Sequence, residues 1–163
     1  MRKEKLIVLI MIPILSFPGM LQAKDALSSP LKVVEPISME PRRLALETAG
    51  AFENDGFRIR DGEWRGALSK GIPAFLQVTL FAGENYWFVA ASPTTGALLR
   101  VTVYDASGKP VKSEFWHNAA NSEGTRSATG VAPTQSGKYF IGVEGMKSPN
   151  QGPLDFSLVY CYK

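Results

Sequence analysis

The spacing of apolar residues changes once along this chain and does not change back. Before Gly56, the residues Leu44, Ala45, Thr48, Ala49 and Phe52 recur at three- and four-residue intervals, the mark of a helix with one buried face. Pro41 suits the first helical turn, where its missing N–H would have no partner in any case. Asn54-Asp55-Gly56 supplies a stop in which glycine takes the left-handed conformation. The spacing predicts one helix over 41–53, closed by Gly56.

After Gly56 the period is two. Phe57 and Ile59 alternate with Arg58 and Arg60, and Asp61-Gly62 is a turn signal before a second short strand over 64–68. Leu76, Val78 and Leu80 point one way while Gln77 and Thr79 point the other, as in a half-buried strand. Residues 86–91 are apolar on both faces, which suits an inner strand of a covered sheet. Leu99, Val101 and Val103 alternate with Arg100, Thr102 and Tyr104. The turn 105–110 then predicts a hairpin whose returning strand is 111–116. A polar break over 117–124 reads as a surface loop. Strands over 125–131, 138–144 and 154–162 complete a set of about eight. With no helices between them, parallel crossovers are ruled out, and the expected fold is all-β: an antiparallel jelly-roll-like β-sandwich with one N-terminal helix.

The N-terminus adds a targeting segment. Arg2, Lys3 and Lys5 precede an apolar run over 6–17, which ends at Pro18-Gly19, the order of a secretory signal peptide. That run is shorter than the roughly 20 residues a membrane-spanning helix needs. Cleavage after Ala23 is expected, followed by an extended leader over 24–40 and a mature domain without a membrane span, in the periplasm or outside the cell. No cysteine sits at the cleavage point, so lipidation there is not expected. Three of the 18 basic residues and one of the 15 acidic residues lie in the signal segment. The mature chain is therefore close to neutral and has no basic stripe to follow a phosphate backbone, so nucleic acid is not an expected partner. Cys161 is the only cysteine, which excludes an intrachain disulfide and a cysteine-based zinc site. It reads as a small buried hydrophobe.

Three segments, in order, carry a resemblance: Leu80-Phe81-Ala82-Gly83-Glu84-Asn85-Tyr86-Trp87-Phe88, Val101-Thr102-Val103-Tyr104-Asp105-Ala106-Ser107-Gly108, and 132–143 with its Pro133-Thr134-Gln135-Ser136-Gly137-Lys138-Tyr139 corner. Together they resemble the bacterial pre-peptidase C-terminal domains, over about residues 66–163. The resemblance implies a jelly-roll-like sandwich in an exported protein, of a kind usually appended to secreted hydrolases and in some relatives binding collagen or polysaccharide. No catalytic domain precedes the module in this sequence, so an accessory role to a peptidase on the same chain is not expected. The ligand set of the family's calcium-binding members does not map onto these residues, and no metal site is carried over.

The chemistry is sparse. His117 is the only histidine, so any Ser-His-Asp or Cys-His arrangement has one base available, and neither Gly-x-Ser-x-Gly nor His-Glu-x-x-His occurs. Glu114, Glu123, Asp105 and Asp155 fall on strand exteriors or turns, unlike the paired carboxylates of a glycosidase. Oxygen ligands for calcium are conceivable at Asp105, Asn118, Asn121 and Glu123, but their spacing matches no calcium loop. Exposed tryptophans can stack on sugars or anchor a protein, which makes Trp64 and Trp116, with His117 beside the latter, the ligand-binding candidates. Trp87 reads as core. The expectation is an exported, non-catalytic binding module for a polysaccharide, an envelope component or a protein, needing no cofactor. The alternatives are a structural envelope protein assembling through its edges or its leader, and a small hydrolase using His117.

Overall fold

A computed structural model describes residues 38–118, 124–150 and 152–163. The expected signal peptide, most of the leader and most of the 117–124 loop lie outside the described residues. Among those described, no helix is long and apolar enough to cross a membrane.

The described residues open with helix α1, Glu40–Ala51, continued by a 3₁₀ turn, Phe52–Asp55, and closed by Gly56 at φ 87°. Nine strands follow: β1 Arg58–Ile59, β2 Trp64–Leu68, β3 Ala74–Leu80, β4 Tyr86–Ser92, β5 Leu98–Tyr104, β6 Glu114–His117, β7 Thr125–Val131, β8 Gly137–Lys147 and β9 Leu154–Tyr162. They form two antiparallel sheets, a large one in the order β1-β9-β4-β7-β6, with β2 also on β9, and a small one in the order β3-β8-β5. The architecture is the expected all-β sandwich with a short N-terminal helix.

The doubly apolar strand decides the layering. Tyr86, Phe88 and Ala90 of β4 face the small sheet and join Val101, Val103, Ile141, Val143 and Leu158 in the main core. Val89 and Ala91 face the other way, where Leu44, Ala45 and Ala49 of α1 cover them together with Ala128 and Val159. Alanine on both sides of this second contact lets the helix lie close to the sheet, and the Thr48 hydroxyl is satisfied by donating to the Leu44 carbonyl at 3.0 Å. The helix is thus a third layer.

Two connections differ from expectation. Asp61-Gly62 does not reverse the chain: Arg58 pairs with Tyr162 and Trp64 with Leu158, so β1 and β2 run along the same edge of β9 in one direction. The Arg60 N–H still donates to the Tyr160 carbonyl at 2.9 Å, which makes the intervening residues a deflection within one interrupted edge strand. Nor does 111–116 return along β5. The hairpin contact ends after a bridge from Tyr104 to Pro110 and a bond from the Val111 N–H to the Val103 carbonyl. The next carbonyl on that edge, Val101, already accepts from the buried Thr129 hydroxyl of the facing sheet at 2.7 Å. With the edge occupied, the chain crosses to the large sheet, where β6 pairs with β7.

If α1 is a layer of the fold and not an appendage, Leu44→Ala should cost about 2–5 kcal/mol, the range for a buried leucine that leaves a cavity. Urea unfolding followed by circular dichroism would show this as a lower midpoint with an unchanged slope. A change within about 0.5 kcal/mol, the range of surface substitutions, would mean that the helix contributes nothing to the core.

Candidate functional site

The sequence candidates do not form one site. Trp64 lies on β2, Trp116 and His117 on β6, at opposite edges of the large sheet with β9, β4 and β7 between them, a separation of about 19 Å at the usual strand spacing. They also face opposite ways. Residues directly opposite in a ladder share a face, and the ladder Trp64, Leu158, Ala90, Ser127, His117 turns toward the small sheet. Trp116 follows Ala128, Val89 and Val159 onto the helix side. Trp64 is half-buried against the main core and stacks on Tyr160 at 5.8 Å. Trp116 is 41% exposed.

His117 lines a cleft of about 300 Å³ between β6 and β5, with Ser127 across the ladder from it. No carboxylate lines this cleft among the described residues. Four of the acids hold other groups. Glu63 pairs with Arg42 at 2.9 Å, and Glu40 and Glu47 pair with Arg43. Asp105 Oδ1 accepts from the Ser107 hydroxyl and from the N–H groups of Ser107 and Lys109; these bonds, the hydroxyl's first, hold its carboxyl below the usual range. Asn118 Oδ1 accepts from the Arg126 N–H at 2.8 Å. Two of the four conceivable calcium ligands are therefore turn locks, while Asn121 and Glu123 lie outside the described residues. No three His, Cys, Asp or Glu side chains come together for a metal among the described residues.

A depression of about 1140 Å³ lies at one end of the sandwich. Its aromatic floor is structural. The Trp87 ring lies across Gly130, where an added Cβ would come within 2.8 Å of it, and the Phe52 ring stacks on Trp87 at 4.6 Å. Both faces of the indole are thus covered.

The outer face of the small sheet is different, because no layer covers it among the described residues. Phe75 on β3 is 58% exposed and meets Tyr104 on β5 edge-to-face at 5.8 Å. The two rings converge over Gly142 of β8, where an added Cβ would lie 3.0 Å from Tyr104 and 3.1 Å from Phe75. Phe140, opposite Gln77 and Tyr104 in the ladders, extends the patch. Around it stand Gln77, Thr102, Lys138 and the cross-strand pair Arg100 and Glu144. This gives an aromatic centre, its two rings inclined at 63° to one another, with donors and acceptors of both charge signs at its rim. Reasoning that watched for tryptophan missed it, although the signal was present: Phe75 shares the alternation side of Gln77 and Thr79, and Tyr104 that of Arg100 and Thr102.

The three segments behind the family resemblance are also turn locks. Ser136 Oγ accepts from the Ala82 N–H at 2.9 Å, the Tyr139 hydroxyl donates to the Gln135 carbonyl at 2.7 Å, and Asp105 closes the β5 turn as described. In comparisons with known proteins, no family model and no curated protein matches the chain.

Cys161 is fully buried and not paired with another cysteine. Burial pushes its thiol up to about 11, from an ordinary value of 9.0. The folded thiol then keeps its proton to higher pH than the unfolded one, so its contribution to stability is complete below pH 9 and is lost as pH rises through about 11. Burial also raises the Tyr160 hydroxyl, in the same direction, so the thiol must be isolated by difference. Urea midpoints compared over this range should fall less steeply for Cys161→Ala than for the parent chain, and parallel curves would contradict the assignment.

Proposed function

We propose that the mature domain is an exported, non-catalytic binding module whose ligand is an extended polysaccharide held on the outer face of the small sheet. The observation that carries this reading is the uncovered patch of Phe75, Tyr104 and Phe140 around Gly142. Phe75 is exposed and Tyr104 and Phe140 are half-buried beside it, and apolar surface left open within a polar rim marks a binding face. This one lies on a sheet face and is ringed by amide, hydroxyl, guanidinium and carboxylate groups. Sugar rings offer apolar C–H faces to stack on aromatic rings and hydroxyls to meet such a rim. Because the rings sit on strands and lean on one another over a glycine, they are pre-organised, which lowers the ordering cost of binding. The resemblance to pre-peptidase C-terminal domains and the signal-like N-terminus support the same reading.

Pull-down of the exported chain on insoluble polysaccharides (peptidoglycan, chitin and cellulose) with titration of any that bind provides the test. Phe75→Ala and Tyr104→Ala should each weaken retention about tenfold, since a lost aromatic contact of roughly 1.4 kcal/mol corresponds to that factor. Trp116→Ala, on the far side of the large sheet, should bind like the parent. Retention that survives both face substitutions would remove this face from the function.

A further inference from the structure

We infer that the outer edge of β6, unpaired among the described residues, is a self-association surface, on which a second copy of this chain pairs its own β6 antiparallel about a two-fold axis through Trp116. This reading does not depend on the ligand face.

The ladder fixes which backbone groups are free. The Asn118 N–H donates to the Arg126 carbonyl, and hydrogen-bonded and non-bonded pairs alternate along an antiparallel ladder. Trp116 and Glu114 therefore turn their N–H and C=O groups toward β7, and Phe115 and His117 turn theirs outward. Side-chain alternation restricts the pairing further. Opposite residues share a face, so two identical strands related by a two-fold axis must be centred on a residue and not between residues. Centring on Trp116 sets Phe115 against His117 of the second copy, and His117 against its Phe115. All four outward groups of each strand are then used, and the two indoles meet in a close non-bonded pair. Glu114 falls opposite Asn118, so no like charges oppose one another.

Other edges are guarded or have less to gain. The β1–β2 edge carries Arg58, Arg60, Asp61, Glu63 and Arg65 and is interrupted at Gly62, a charged and broken edge of the kind that blocks pairing. The β5 edge is capped by Thr129 and Val111. The β3 edge is open, but its outward residues after Phe75 are Gln77 and Thr79, and Val78 and Leu80 are already buried. In β6 all four residues are exposed, with Phe115 68% exposed on one face and Trp116 41% on the other. An added strand would cover aromatic surface on both sides. Beside Trp116, a cavity of about 370 Å³ lined by Thr48, Ala51 and Phe52 has room for the second indole. The strand is short, so the contact falls below the roughly 1,200 Å² of stable complexes and should be populated at about 100 µM, not at nanomolar concentration.

Sedimentation velocity of the exported chain up to about 200 µM should show a monomer–dimer equilibrium, in the weak range expected for an interface this small. His117→Pro removes an outward N–H that the fold does not use, a substitution edge strands tolerate, and should raise the dissociation constant tenfold or more. Trp116→Lys, at an exposed position, should do the same by placing like charges at the axis. In a Cys161→Ala background, Trp116→Cys should give a disulfide-linked dimer on oxidation and Glu114→Cys should not. A chain that stays monomeric over this range, a dimer indifferent to both disrupting substitutions, or crosslinking through position 114 would overturn the inference.

Discussion

Strand β4 sets the constraint on which the rest of the domain depends. A strand with one apolar face needs one cover; Tyr86–Ser92 has two, with Phe88 and Val89 both at 0% exposure. Half of that requirement is met by the small sheet and half by α1. This accounts for a helix at the start of an otherwise all-β chain, and for alanines at positions 45, 49, 91 and 128, where helix and sheet meet. It also accounts for the asymmetry of the surface. The inner strands of the large sheet are covered on both sides, whereas among the described residues the small sheet is covered on one, which leaves its outer face open.

The same constraint explains the glycine at position 130. Trp87 shares the helix side with Val89 and Ala91, but α1 ends near it, and the indole instead lies down across β7. It fits only because Gly130 has no side chain, and the 3₁₀ turn brings Phe52 onto its other face. Gly142 plays the equivalent part on the small sheet, beneath Phe75 and Tyr104. In both places a glycine in a strand marks where rings cross it. One pair is sealed beneath the 3₁₀ turn and the other is left open, and that difference separates core from candidate site.

Alternation carried most of the fold. The inward residues of β3, β5, β8 and β9, the helix and its glycine stop, and the inner position of β4 follow from period alone, because each reflects a local choice between core and water. What could not be read locally was which strand a segment pairs with. Asp61-Gly62 looks like a hairpin turn, yet β9 is long enough to pair with both segments beside it. The turn at Asp105 is a true reversal, but Thr129, 28 residues from Val101, occupies the edge that the returning strand would have used. The site was legible in the same uneven way. Phe75 and Tyr104 are aromatic residues on polar faces, visible in the pattern, but only the β3-β8-β5 order brings them together. Trp64 and Trp116 looked alike in sequence and prove to be a core stack and an edge residue on opposite faces.

The turn locks bear on what the family resemblance can mean. Ser136, Tyr139, Asp105 and the Gly83 turn hold loops in place through hydrogen bonds to backbone groups. A sequence that keeps them keeps the sandwich ends, whatever its outer faces carry. They speak to how the sandwich ends are held and not to a ligand; of the rings on the open face, Tyr104 and Phe140 lie within the segments that carry the resemblance and Phe75 lies outside them. Fold and ligand recognition are written in different residues of this domain. The first resides in turns and in the doubly buried strand; the second, on the reading proposed, resides in side chains that the core does not need.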